Sequence, residues 1–217
     1  MDSVSRTRLT YSFMKPIMIP IDSTSRATPL RRNMYHHNSG LVTSESEDEF
    51  KAYIRDIHDF PTKGVIFRDI TNLLKNGEVF QKTVDKIAYR FSQEEIDVVC
   101  AVEARGFILG AAIAYALGAG FVPIRKKGKL PWYKHQKSYD LEYGTDELEI
   151  HIDAINSGNH VLFVDDVIAT GGTAKTAVDF IKQMKGNLVC AAFLIELLEF
   201  QGRKKLEEVP VYSLIRY

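Results

Sequence analysis

Short apolar runs alternating with helically spaced segments predict an α/β protein: an open, mostly parallel twisted sheet flanked by helices. Two observations carry this expectation. Val98–Val102, Val161–Val164 and Leu188–Leu194 are uninterrupted apolar runs, each with β-branched members, as strands buried on both faces read. Before and between them apolar residues recur at helical spacing, first at Phe80, Val84, Ile87, Ala88 and Phe91, later at Ala174, Ala177, Val178, Ile181 and Met184. A chain of 217 residues, 45% hydrophobic, can bury one substantial core.

Along the chain, residues 1–45 stand apart. They are rich in Ser, Thr and Arg, carry Pro16, Pro20 and Pro29, and keep no sustained period. A transit peptide, a disordered tail and an over-extended gene start with Met34 as initiator all fit this extension. Residues 46–217 read as one domain. Acids from Glu45 to Glu49 precede Phe50, Tyr53, Ile54 and Ile57, which predicts an acid-started helix. Phe60 to Gly64 breaks it, and Val65 to Ile70 is extended by propensity. A helix follows from about Glu78, then the strand Val98–Val102. The uncharged stretch from Phe107 to Ile124 is long enough for a membrane span, but Gly118, Gly120 and Pro123 divide it. It resolves into a small-residue helix ending near Leu117 and the strand Phe121–Ile124. From Arg125 to about Tyr143 the sequence is basic and polar, and reads as a long loop between two strands. Leu148–Ile150 is a short strand, Asn156 to Asn159 a turn, and Val211–Ile215 the last strand.

Chemistry concentrates between His160 and Met184. Asp165 and Asp166 end the apolar run Val161–Val164, placing two carboxylates at the carboxyl edge of a central strand, where open α/β sheets bind ligands. Ala169, Thr170, Gly171, Gly172 and Thr173 then form a turn that opens a helix from Ala174. Its glycines let backbone N–H groups converge, and the helix N-terminus favours a phosphate. No lysine stands where a Walker loop needs one, and an adjacent glycine pair is no dinucleotide fingerprint. Two acids beside a phosphate cradle make sense if they face ribose hydroxyls or a metal.

The string from Val164 to Thr173 resembles the phosphoribosyl diphosphate (PRPP) loop of type I phosphoribosyltransferases. Nearly everything from Phe60 onward is similar to the adenine phosphoribosyltransferase family within that class. The matching segments are Phe60 to Ile70, Glu103 to Phe107, Arg125 to Pro131 and Leu141 to Gly144, in the same order. Trp132 to Lys137 departs from the family's less basic, less aromatic loop. The resemblance implies transfer of a phosphoribosyl group from PRPP to adenine, giving AMP and pyrophosphate, on a type I fold with a small base-binding hood. It implies that Asp165 and Asp166 hold the ribose hydroxyls and that Ala169 to Thr173 cradle the 5′-phosphate. Arg105, Lys126 and Lys129 would hold pyrophosphate beside Mg²⁺, itself bound mainly through substrate phosphates without a dedicated protein metal site. Ile66, Phe67, Arg68 and Leu197 would hold the base, and Glu142 would be its general acid or base. A homodimer is implied as well. A 6-oxopurine or orotate enzyme would keep the PRPP loop but change the Phe60 to Ile70 segment.

Charge and cysteines bound the rest. Lys plus Arg and Asp plus Glu both number 28, so net charge is zero and neither nucleic acid nor an anionic membrane is an expected partner. Cys100 and Cys190 sit in apolar runs and read as buried thiols, which suits a reducing, cytoplasmic compartment.

Overall fold

The computed structural model describes residues 47–140, 145–206 and 208–217. The expectations for residues 1–45 and for Glu142 lie outside the described residues. Seven strands form one open sheet: β3 (Val98–Val102), β4 (Gly120–Lys126), β5 (Lys134–Asp140), β6 (Thr145–His151), β7 (His160–Ile168), β8 (Asn187–Glu196) and β9 (Val211–Arg216). Their order is β5-β6-β4-β3-β7-β8-β9. The five strands from β4 to β9 pair in parallel, and β6 and β5 add an antiparallel edge. A separate two-stranded antiparallel sheet, β1 (Arg55–His58) with β2 (Ile66–Asp69), makes the hood.

Period-two alternation sorts the core into two layers. In β7, Leu162 and Val164 join a cluster with Leu109, Ile113, Val84 and Ile87 from helices α4 (Arg105–Leu117) and α3 (Gly77–Arg90). Val161 and Phe163 point the other way, into a cluster with Ala177, Val178 and Ile181 of helix α5 (Gly172–Gln183). Both faces of β7 are therefore covered, which is why its sequence is continuously apolar. Helix α4 stops at Leu117 because Gly118 takes the left-handed conformation, φ 72°. Among the described residues no helix is long and apolar enough to cross a membrane.

Three expectations are corrected. The acid-started helix is only α1 (Glu47–Lys51); the chain turns after Lys51 because Arg55–His58 must pair with β2. The strand of the apolar run Val161–Val164 does not end at the aspartates: β7 continues to Ile168 with both inside it, since β8 still offers backbone partners there. The basic tract is no structureless loop. Lys134–Asp140 pairs with β6 residue for residue, its cations neutralised by Glu149 and, across to α5, by Asp179.

Candidate active site

Strand β7 pairs with β3 only as far as Val164, so its end projects past that neighbour. The N-terminus of α4 fills the space. A Cβ on Gly106 would lie 2.5 Å from Asp165 Oδ1, so only a glycine lets the helix begin directly on the carboxylate. Asp165 Oδ1 in turn accepts a hydrogen bond from the Asp166 amide at 2.9 Å. Arg105 Nε stands 2.7 Å from Asp166 Oδ2, and its guanidinium carbon lies 4.9 Å from the centre of the Phe67 ring. Both acids are buried. Burial, then the charge of Asp166, pushes the Asp165 carboxyl well above its ordinary value. Burial raises Asp166 as well, with the Arg105 guanidinium opposing it. Two buried carboxyls facing one cation are costly unless a ligand supplies donors.

Beyond Ile168 the turn begins, and α5 starts at Gly172 rather than at Ala174. Gly171, at φ 79°, is its N-cap and offers no side-chain acceptor, and the first helical turn holds no acid. The N–H groups there remain available to an external anion. The backbone of Gly202 packs against this turn: a Cβ on Gly202 would fall 2.1 Å from the Ala169 carbonyl oxygen.

The expected cations are tethered. Lys126 Nζ is 2.9 Å from Asp146, and Lys129 Nζ is 3.2 Å from Glu103, which also pairs with Arg125. Burial would raise the Glu103 carboxyl, yet the Lys126 amide, Lys129 and Arg125 hold it below its usual value. The turn carrying Lys129 hangs on buried Glu149. Glu149 accepts from the Gly128 amide at 2.9 Å and the Leu130 amide at 3.4 Å, and pairs with Lys134 at 2.9 Å. Burial pushes its carboxyl up, but the Gly128 amide, Lys134 and the Leu130 amide outweigh that and keep it low. Its stabilisation is therefore present above the ordinary carboxylate value and lost as pH falls through the lower folded one. Glu149→Gln should lower the thermal midpoint at pH 7 by about 5 °C, with the difference from wild type shrinking toward acid pH. A thermal-unfolding series from pH 3 to 8 checks this.

On the base side, Ile66, Phe67 and Arg68 occupy β2, with Ile66 exposed. Phe60 meets Phe67 edge-on at 5.3 Å. Arg68 pairs with Asp56 and stacks on Tyr217 at 3.9 Å, which seats the hood on the main sheet. The Leu197 amide donates to Ile168, the residue before the turn, at 3.0 Å. The structure thus brings Phe67, Arg105, Asp165 and Asp166 together, places Leu197 at the end of β7, and keeps Lys126 and Lys129 on their own acids. Gly106, Asp146, Glu149 and Gly202 were not anticipated. Only Gly106 carried a signal in the sequence, as the glycine directly after an arginine at a strand-to-helix junction.

A projecting central strand with paired acids, a glycine turn and an uncapped helix define a phosphoribosyl transferase domain, and residues 69–214 match the model of that family. The adenine phosphoribosyltransferase of Brachyspira hyodysenteriae is 52% identical over 169 residues, 78% of this chain and 99% of that one. The crystal structure of the Thermoanaerobacter pseudethanolicus enzyme superposes with a TM-score of 0.77 at 45% identity, over 79% of this chain and all of that one. The Saccharomyces cerevisiae enzyme, complexed with an imino-altritol bisphosphate and adenine, gives 0.74 at 39% identity, over 78% and 98%. The chain belongs to the adenine phosphoribosyltransferase family.

Proposed function

We propose that this chain transfers the 5-phosphoribosyl group of PRPP to adenine, giving AMP and pyrophosphate in purine salvage. One observation carries the reading: Arg105 stands between the Phe67 ring and the Asp166 carboxylate, so base side, ribose side and a cation meet within one side chain's reach. The yeast relative that binds adenine together with a bisphosphate supports the same pairing of ligands.

In the reaction a nitrogen of the purine imidazole bonds to C1 of the ribose as the bond from C1 to pyrophosphate breaks. The electron pair leaves with pyrophosphate, and the imidazole proton goes to Glu142. Phe67 stacks on the base, Ile66 and Arg68 offer backbone groups to its Watson–Crick edge, and Leu197 closes the opposite face. Asp165 and Asp166 fix the ribose hydroxyls, while the turn from Ala169 to Thr173 holds the 5′-phosphate. Arg105, Lys126 and Lys129 stabilise the charge that develops on the leaving group. Mg²⁺ suits this setting. Asp165 and Asp166 are oxygen donors of the class it accepts. Bound mainly through the substrate phosphates, it would supply charge neutralisation for the leaving pyrophosphate, beside Arg105, Lys126 and Lys129.

A homodimer is part of the reading, supported by Ile108 and Tyr115, exposed 45% and 76%, seven residues apart on the outer side of α4. The cytoplasm is proposed from Cys100 and Cys190, both buried as free thiols, which suits a reducing compartment. A panel of adenine, hypoxanthine, guanine and orotate with PRPP, with and without Mg²⁺, tests the reaction. AMP formed from adenine alone, and dependent on Mg²⁺, is expected; equal turnover of an oxopurine or of orotate overturns it.

A further inference from the structure

We infer that Arg203 is a positioning residue for the phosphate-binding turn, acting through Glu196 and Gly202. The inference rests on the phosphoribosyl reading. Glu196 ends β8, is buried, and sits opposite Ile168, the last residue before the turn. Arg203 grips both of its carboxylate oxygens, Nε to Oε1 at 2.9 Å and a terminal nitrogen to Oε2, while Ser213 Oγ donates to Oε2 at 2.7 Å. A further terminal nitrogen of Arg203 donates to the Val211 carbonyl at 2.9 Å. The guanidinium thus ties one short segment to β8 and β9 at once, through a planar fork that lysine cannot reproduce. Its grip also holds the Glu196 carboxyl below its ordinary value, against the upward push of burial.

The residue before this clamp is the one that touches the turn. Gly202 is buried between the exposed residues Gln201 and Arg203. A Cβ on Gly202 would fall 2.7 Å from the Gly171 nitrogen, and a Cβ on Gly171 would fall 2.4 Å from the Gly202 carbonyl oxygen. Backbone meets backbone with no side chain between them, so a small shift of Gly202 reaches Gly171 directly. Gly171 is the N-cap whose helix supplies the N–H groups for the 5′-phosphate. Leu197, on the base side, does not depend on the clamp, because Ile168 holds its amide and Tyr217 accepts from that of Leu198 at 2.8 Å. Loss of Arg203 should therefore separate phosphate recognition from base recognition.

The test compares wild type, Arg203→Ala, Arg203→Lys and Gly202→Ala in full-length protein. Binding of ribose 5-phosphate and the KM values for PRPP and adenine are measured at equal folded fraction. Arg203→Ala and Gly202→Ala should each weaken ribose 5-phosphate binding and raise the PRPP KM about tenfold, with the adenine KM within about twofold; Arg203→Lys should fall between. Equal losses for PRPP and adenine, or ribose 5-phosphate binding unchanged in folded variants, would overturn the inference. If Arg203→Ala does not fold, Arg203→Lys and Gly202→Ala decide on the same criteria. A wild type that binds no ribose 5-phosphate overturns the phosphoribosyl reading, and the inference with it.

Discussion

Glu142→Gln is expected to slow the chemical step about 10²–10⁴-fold, the usual range for one acid–base group, with little change in PRPP binding. Adenine must lose an imidazole proton as it becomes AMP, and glutamine preserves the size of the side chain while removing its basicity. Glu142 falls in the connection between β5 and β6, whose last paired residues are Asp140 and Thr145. Strand β5, which leads into that connection, is fastened to α5 by Lys137 and Asp179. Single-turnover measurement with adenine is the proper check, because slow product release can hide the chemical step at steady state. A chemical step within about threefold of wild type would remove Glu142 from the reaction.

Asp165→Asn with Asp166→Asn should raise the PRPP KM about 10²-fold while leaving adenine binding within about threefold. Two charge-assisted hydrogen bonds to ribose hydroxyls, each contributing about 1.5 kcal/mol, amount to that factor. Unchanged PRPP affinity in the double variant would deny the acids their ribose role. The single Asp165→Asn variant should meanwhile become more heat-stable. A carboxyl raised in the folded chain contributes stability below its ordinary value and loses it as pH rises through the folded value. The wild type loses that stability as pH rises above the ordinary carboxylate value, whereas asparagine keeps the acceptor for the Asp166 amide without the charge. A midpoint higher by about 2–4 °C at pH 7, with the gap closing toward pH 4, is the expected result, read by thermal unfolding. Weaker substrate use in the double variant and greater stability in the single one would mark these acids as serving the ligand rather than the fold.

Much of this was legible in the sequence, for identifiable reasons. The limits of β3 and α4 follow from a fully apolar run and from a left-handed glycine, both local signals. The acids, the glycine turn and the helix after it were legible from residue type and spacing, although α5 begins at Gly172, two residues before the expected Ala174. Strand β5 was not. Its residues Lys134 to Asp140 are polar, and their strand character depends on cross-strand partners in β6 and on Asp179. The early helix was overread because Tyr53, Ile54 and Ile57 fit a helical period, while pairing of Arg55–His58 with β2 decided the outcome. Contacts such as Gly202 on Ala169 leave no periodic trace, since two backbones meet 33 residues apart.

The tethering of the cations bears on turnover. Lys126 lies on Asp146 and Lys129 on Glu103 before any ligand arrives. On the proposed assignment, pyrophosphate would not meet bare positive charge; it would compete with resident carboxylates, as a mobile anion does on an exchange resin. Its affinity would be the difference between two similar attractions, and the departing product would be replaced by acids already alongside. Such a site would draw a highly charged leaving group during the reaction and still let it go.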